Sequence, residues 1–241
     1  MLKCFSLLLL AVFSWTVVKA QDMTADEILD QYFEVVGGKE KIRAMQSRKM
    51  TATMSMQGME FPGVLYEKAP NMQRIEVDVQ GQQIVMAYDG KDAWWIMPFQ
   101  TGPAPQDMPK DQAESMTKET FEPSFLDYAE KGYSAGLVGK EEVEGAEAYA
   151  IKLTKKNGDV QIHYFDAEYF VLIMIKTKVD EGPMKGQFVE QYLSDYQEVD
   201  GYMMPFYLET KIAGQIGQQI RIKEVHINPE LDLAIFSRPK K

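Results

Sequence analysis

The 241-residue sequence contains only two histidines, the side chain used most often for acid–base catalysis. Its two histidines, His163 and His226, lie in segments of alternating apolar residues, which predicts strand residues that are exposed or hydrogen-bonded. Asp166 and Glu168 fall in a predicted turn, where carboxylates are usually solvated. No HExxH, GxSxG or phosphate-loop motif occurs. These observations favour a protein that is not an enzyme. A hydrolase that uses a carboxylate pair without a sequence motif is the alternative, because such sites are recognised by geometry.

Residues 1–20 have the pattern of a secretory signal peptide. Lys3 gives a positive start, residues 5–18 carry no charge, and the sequence VKA at residues 18–20 is a small-residue cleavage site. Cys4 precedes the apolar run, so it is not placed as the lipid-bearing cysteine of a bacterial lipoprotein and leaves with the signal. Residues 21–241 then lack cysteine, which excludes disulfides, thiolate metal sites and cysteine nucleophiles.

The chain that remains is acidic. Its formal charge falls from −10 to −12 when the two lysines Lys3 and Lys19 are removed. A chain of this charge without a long basic run is a poor candidate for nucleic acid or an anionic membrane surface. No later segment is long and apolar enough to span a membrane, which predicts a soluble protein. No metal-ligand cluster is visible, so no metal or cofactor is predicted.

The clearest predicted strand begins near Arg48, after two predicted helices. A capping box starting at Thr24 and apolar residues at helical spacing predict a helix over residues 24–36, and a shorter helix follows over residues 39–45. From Arg48 the apolar residues recur at every second position. They are Met50, Ala52, Met54 and Met56. Because methionine suits adaptable surfaces as well as irregular cores, this stripe predicts either a ligand groove or permanent core.

A tight hairpin is predicted within residues 88–99, YDGKDAWWIMPF. Asp89-Gly90 supplies the turn between two strands that are apolar on both faces, which predicts a position in the middle of a sheet. Trp94 and Trp95 are adjacent in a strand, so they point to opposite faces. Either both tryptophans are core residues, or one is the wall of an apolar ligand pocket.

Further strands and two short helical segments are predicted in the rest of the chain. A proline-rich loop at residues 101–109 leads into helices over residues 111–119 and 124–131, which would form either a lid or permanent core. Alternating segments continue to residue 227, including a hairpin around Asn157-Gly158. About ten or eleven strands with helices at two points predict an α+β fold, as one domain over residues 21–241.

A run of short motifs within residues 65–99 matches a known pattern. The segment LYEKAPN at residues 65–71 is followed by DGK, WWIM and PF within residues 89–99. These motifs resemble the periplasmic outer-membrane lipoprotein-sorting carriers, the LolA-like family, in which a strand ending in Lys-Arg-Pro-Asn leads to Asp-Gly-Lys, a tryptophan and Pro-Phe. The chain's end is similar to the family's closing strand and tail at Ile227-Asn228, Leu231-Asp232, Phe236 and Pro239.

The resemblance implies a half-open antiparallel β-barrel, with helices covering the concave face over an apolar cavity that takes acyl chains. It implies a periplasmic carrier that binds lipoprotein or lipid acyl chains and exchanges them with an inner-membrane donor and an outer-membrane acceptor. The candidates for the cavity lining are Met50, Met54, Met56, Ile75, Val77, Trp94, Trp95, Ile96, Phe99, Phe125 and Leu126.

Ala69 departs from the family pattern. The carriers have an arginine at this point, linked in that family to passing the cargo onward, so the resemblance does not extend that hand-off to this chain. Arg74 is near in sequence, but nothing in the sequence shows that it substitutes. Because the family also includes periplasmic stress sensors that use the half-barrel to detect ligands, a ligand-sensing or interaction module is the alternative function.

Overall fold

The computed structural model describes residues 23–118, 120–179 and 184–239, and the predicted signal peptide lies outside these ranges. Within them the chain forms one 13-stranded antiparallel sheet, three α-helices and a short 3-10 helix, Leu233–Ile235. The α-helices are α1 (Ala25–Val35), α2 (Lys39–Ala44) and α3 (Lys110–Lys118). The strands are β1 (Ser47–Met56), β2 (Met59–Lys68), β3 (Met72–Val79), β4 (Gln82–Tyr88), β5 (Ala93–Met97), β6 (Gly102–Asp107), β7 (Ser134–Val143), β8 (Ala146–Thr154), β9 (Val160–Asp166), β10 (Leu172–Lys178), β11 (Phe188–Val199), β12 (Tyr202–Ile212) and β13 (Gln215–Ile227).

The sheet is open, with β6 at one edge and β7 at the other. Its strand order is β6-β5-β4-β3-β2-β1-β13-β12-β11-β10-β9-β8-β7. Consecutive strands pair with each other except β6 and β7, which lie at opposite edges, and the first strand, β1, also pairs with the last, β13. The two halves of the chain therefore form the two halves of the sheet, and the β1–β13 pair joins them.

The first two predicted helices are present at the expected places. Thr24 caps α1: its side chain accepts a hydrogen bond from the Glu27 amide, while the Glu27 carboxylate accepts one from the Thr24 amide. The predicted helix over residues 124–131 is absent, and a series of turns replaces it. Asp127 has a φ of 51° there, in the left-handed region, which interrupts helical hydrogen bonding. No described helix combines the length and hydropathy of a membrane span.

The predicted strand number was too low, because two strands were missed. Residues 102–107 were predicted as a loop on account of Pro103 and Pro105, yet they form β6. Since β6 is an edge strand, the missing proline N–H groups remove no hydrogen bond that the sheet needs. The other missed strand is β7, which forms the opposite edge and contains two glycines that weaken its strand pattern. The β4–β5 hairpin, expected in mid-sheet, lies one strand from the β6 edge.

The two faces of the sheet carry different covering segments. We call the face of Met50 and Met54 the front face and the opposite one the back face. On the front face α1 packs against β8 and β9 at one end of the sheet, and α3 packs against β5 near the other. On the back face, the C-terminal tail at residues 228–239 crosses β5, where Phe236 is fully buried. Helices that cover the concave face, as the sequence predicted, are not confirmed.

Candidate functional site

The middle of the front face is a continuous apolar surface. Met54 of β1 pairs with Phe61 of β2 on one side and with Ile220 of β13 on the other. Ile220 in turn pairs with Leu208 of β12. Because directly paired residues point to the same face, these side chains form a row across four strands. We call the surface formed by Met54, Met56, Met59, Phe61, Ile84, Leu208 and Ile220 the apolar surface.

Exposure rises along the apolar surface toward the β1–β2 turn. Met54 is only 4% exposed, and its side chain lies over Gly63, where an added Cβ would come within 3.0 Å of the methionine Cε. Met56 and Met59 pair across the strands and are 51% and 54% exposed. Single exposed apolar residues are common, but an exposed pair that continues a buried apolar row is typical of a binding surface.

Charged side chains are distributed unequally between the two faces. On β1–β5, β12 and β13 the strand pairing places Arg48 and Glu67 on the front face, and they form an ion pair at 2.7 Å. The back face of the same strands carries charges that include Lys49, Glu60, Arg74, Glu76, Asp78, Glu209, Lys211 and Arg221. The front face is therefore almost free of net charge. The back face carries most of the charged side chains of these strands, together with a buried apolar cluster around Trp94.

Lys211 and Glu209 of the back face are paired with each other and with neighbouring groups. The Lys211 ammonium donates to the Glu144 carboxylate at 2.7 Å and lies 3.3 Å from that of Glu209, and the hydrogen bond to Glu144 raises the pKa of Lys211. Glu209 also accepts hydrogen bonds from Gln219 at 2.7 Å and Tyr207 at 3.1 Å, and the Gln219 bond contributes most to its lowered pKa. Through these hydrogen bonds and ion pairs, Lys211, Glu144 and Glu209 form a structural network.

The two adjacent tryptophans lie on opposite faces, as the sequence predicted. Trp95 is on the front face, 6% exposed, beneath Met108 and Met116 of the α3 region. Trp94 is on the back face, where its indole N–H donates to the Phe236 carbonyl oxygen at 2.7 Å. The Arg74 guanidinium lies 5.4 Å from the Trp94 ring centre and donates to the Ile235 carbonyl at 2.7 Å. Arg74 therefore holds the tail on the back face.

The structure brings six of the predicted cavity residues to the front face and separates the others. The six are Met50, Met54, Met56, Ile75, Val77 and Trp95. Trp94 and Ile96 lie on the back face, Phe99 lies in the turn after β5, and Phe125 and Leu126 belong to the buried cluster under α1. Sequence reasoning missed Met59, Phe61, Ile84, Leu208 and Ile220. Alternation in β2 was the available signal for Met59 and Phe61, but Pro62-Gly63 interrupts its apolar pattern.

His163 differs from its prediction as an exposed or hydrogen-bonded residue. It is 4% exposed, and among the described residues neither ring nitrogen has a hydrogen-bond partner. β9 is buried on both faces here, and the Phe125 ring lies 4.6 Å from the imidazole in an edge arrangement. Burial lowers the pKa of His163 to about 3, so the imidazole is neutral. His226 is exposed beside Glu224 at 3.1 Å, in keeping with its prediction.

Two concavities lie on the back face. One, of about 490 Å³, separates the tail from β2 and β3 and is lined by Tyr66, Arg74, Glu76, Ala234, Ile235, Ser237, Arg238 and Pro239. The other, of about 310 Å³, includes Glu76, Asp78 and Lys223 in its lining. Charged side chains border both concavities. No group of three or more histidine or acidic side chains in the described ranges could hold a metal ion.

Solved structures with the same architecture exist at low sequence identity. A DUF1329 family protein from Desulfovibrio piger is 14% identical, with a TM-score of 0.59, over 87% of this chain and 97% of its own. A LolA superfamily protein from Nitrosomonas europaea is 14% identical, with a TM-score of 0.56, over 90% of this chain and 98% of its own. An outer membrane lipoprotein-sorting protein domain from Vibrio parahaemolyticus is 11% identical, with a TM-score of 0.55, over 87% of this chain and 94% of its own.

At the level of sequence, no family model and no curated protein matches the chain. The structural likeness at 11% to 14% identity therefore concerns the fold. It extends over 94% to 98% of each similar structure. The chain shares the fold of LolA superfamily proteins and of an outer-membrane lipoprotein-sorting domain.

Proposed function

We propose that the chain is a periplasmic carrier that binds acyl chains of lipids or lipoproteins on the apolar surface of its front face. The observation that carries the proposal is the half-exposed pair Met56 and Met59, which continues the buried Met54 row on a face almost free of charge. The likeness to lipoprotein-sorting structures supports the same reading at the level of fold.

The energetics of the surface suit a flexible hydrocarbon chain. Each methylene that leaves water for an apolar surface contributes about 0.8 kcal/mol, so a few contacts suffice for measurable binding. Methionine side chains adapt their shape to the chain they contact, which favours acyl chains of differing length. Binding of this kind requires no catalytic residue, and we propose that the chain is not an enzyme.

The signal pattern supports the proposed location, and the resemblance to lipoprotein-sorting carriers supports the proposed partners. The signal pattern in residues 1–20 would deliver residues 21–241, as one domain, to the periplasm. A carrier there would accept its cargo from an inner-membrane donor and release it to an outer-membrane acceptor. Ala69 stands where the carriers have the arginine linked to release, so this chain would release its cargo without that group.

A matched pair of substitutions tests the proposed surface. The uncharged fluorescent probe N-phenyl-naphthylamine becomes brighter when it leaves water, and we expect the protein to bind it and monooleoylglycerol to displace it. Met56→Asp places a charge on the exposed part of the apolar surface and should weaken both interactions at least about tenfold. Met56 is chosen because aspartate at Met54, which is 4% exposed, would destabilise the fold itself.

Ser55→Asp is the control, because the neighbouring residue points to the back face. It introduces the same charge one position away and should leave probe affinity within about twofold of the parent. Thermal unfolding of both variants establishes that they are folded. Equal affinity in the parent and in Met56→Asp, or no binding by the parent, would overturn the proposal.

A further inference from the structure

An uncharged polar row borders the apolar surface on the front face. Gln218 of β13 pairs with Thr210 of β12, and Thr210 pairs with Gln191 of β11. Thr210 lies two residues beyond Leu208 on the same strand, so it shares the front face. We call Gln218, Thr210 and Gln191 the neutral row.

The neutral row is continuous with the exposed methionine pair. The last register pair between β1 and β13 joins Ser55 to Gln219. The next residues outward on the two strands are Met56 and Gln218, which therefore lie side by side. A molecule whose hydrocarbon chain contacts Met56 would reach the neutral row with its polar end.

The side chains of the neutral row have unused hydrogen-bonding capacity. All three are partly exposed, and within residues 23–118, 120–179 and 184–239 none makes a side-chain hydrogen bond to the protein. The contrast with the back face is direct, since Gln219, the next residue along β13, donates to Glu209 at 2.7 Å. Amide and hydroxyl groups both donate and accept, so the neutral row fits partners that do the same.

We propose that the apolar surface and the neutral row together bind lipids whose headgroup is uncharged and carries hydroxyl or amide groups. The inference rests on the proposed function and specifies the polar part of its ligand. An ionised headgroup at the neutral row would lose hydration without gaining an opposite charge. Arg48 is the front-face cation of β1–β5, β12 and β13, and it is already paired with Glu67 at 2.7 Å.

Three lipids with the same oleoyl chain test this specificity. Monooleoylglycerol has a hydroxyl headgroup, oleate has a carboxylate, and oleoyl lysophosphatidylglycerol has an anionic phosphodiester. Each is titrated, below its micelle concentration, against the protein loaded with N-phenyl-naphthylamine. We expect monooleoylglycerol to displace the probe at a concentration about tenfold lower than either anion.

The negative net charge of the chain could by itself produce a preference for uncharged lipids, and salt distinguishes this effect from contacts within the site. The formal charge is −10, which repels anionic lipids from a distance. At 1 M salt the Debye length is about 3 Å, and this repulsion is screened. The preference for monooleoylglycerol should persist at 1 M salt, because it arises from contacts within the site. Its disappearance in salt would overturn the inference.

Two substitutions assign the preference to the neutral row. Thr210→Val should weaken displacement by monooleoylglycerol about fivefold while binding of the probe, which has no such headgroup, stays unchanged. Thr53→Val, the same change on the back face of β1, should alter neither. Gln191→Lys places a cation in the row and should improve displacement by oleate relative to monooleoylglycerol.

The outcomes distinguish the two proposals. If no lipid displaces the probe, binding of acyl chains fails, and the headgroup preference fails with it. If all three lipids displace it equally, or the anions do so at lower concentration, the acyl-chain proposal stands and the neutral-headgroup inference is overturned. An equal response of Thr210→Val and Thr53→Val also overturns the assignment to the neutral row.

Discussion

At the scale of single residues, His163 is the clearest pH-sensitive group. It is buried without a hydrogen-bond partner among the described residues, and burial lowers its pKa from 6.5 to about 3. In the unfolded chain the imidazole binds a proton below about pH 6.5, whereas in the folded chain it stays neutral down to about pH 3. The protein therefore has its full stability above pH 6.5 and loses stability as the pH falls through this window.

The expected loss is about 2 kcal/mol between pH 7.5 and pH 5 from this one group. Urea unfolding at both pH values measures it, and His163→Phe should remove that part of the pH dependence. His226→Gln, which changes an exposed histidine, should retain it. If His163→Phe and the parent lose the same stability on acidification, His163 is not the titrating group.

The sequence indicates which residues share a face within one strand but not the depth at which each is buried. Alternation placed Met50, Met54 and Met56 together, and the structure agrees. It did not reveal that Met54 is buried while Met56 is half-exposed, because depth depends on the neighbouring strands. For the same reason His163 was predicted as exposed or hydrogen-bonded, although α1 and Phe125 cover its strand and neither ring nitrogen has a hydrogen-bond partner among the described residues.

At the scale of elements, the C-terminal tail stabilises the β5–β6 end of the sheet. Phe236 is fully buried, its carbonyl accepts the Trp94 indole N–H, and Arg238 donates to Asp107 of β6 at 2.6 Å. We expect Phe236→Ala to lower the free energy of unfolding by about 3 to 5 kcal/mol, since it removes a fully buried aromatic ring. Urea unfolding followed by tryptophan fluorescence measures the loss.

Leu233→Ala is the matched control for Phe236→Ala, because Leu233 lies three residues earlier in the tail and is 51% exposed. Its effect should stay within about 0.5 kcal/mol. Similar effects of the two substitutions would show that the tail does not anchor through Phe236.

The elements that sequence reasoning missed share a physical cause. Proline in β6 and glycine in β7 weaken a strand pattern, but edge strands tolerate both because one side of the strand pairs with nothing in the sheet. The turns at residues 124–131 contain the apolar spacing of a helix, and the left-handed Asp127 interrupts it. The local sequence pattern was sufficient to predict α1 from its capping box and β1 from its alternating apolar residues.

At the scale of the whole molecule, strand pairing places most charged side chains of β1–β5, β12 and β13 on the back face and leaves an apolar surface on the front face. The pairing of β1 with β13 brings Met54 and Phe61 beside Ile220 and Leu208, residues about 150 positions apart in the sequence of 241. Sequence patterns predicted each strand separately, but they did not specify which strands are neighbours. The apolar surface is therefore a property of topology, and only its β1 part was predicted.

The measurement that tests the central claim most directly is photo-crosslinking with a long-chain alcohol that carries a diazirine in its hydrocarbon chain. The protein is irradiated with the probe and digested, and the modified residues are located by mass spectrometry. We predict modification of front-face residues in the β1–β2 and β12–β13 hairpins, with Met56 and Met59 foremost, and competition by excess monooleoylglycerol. Modification confined to the back-face concavity around Arg74 and Ile235, or modification that monooleoylglycerol does not reduce, would contradict the account.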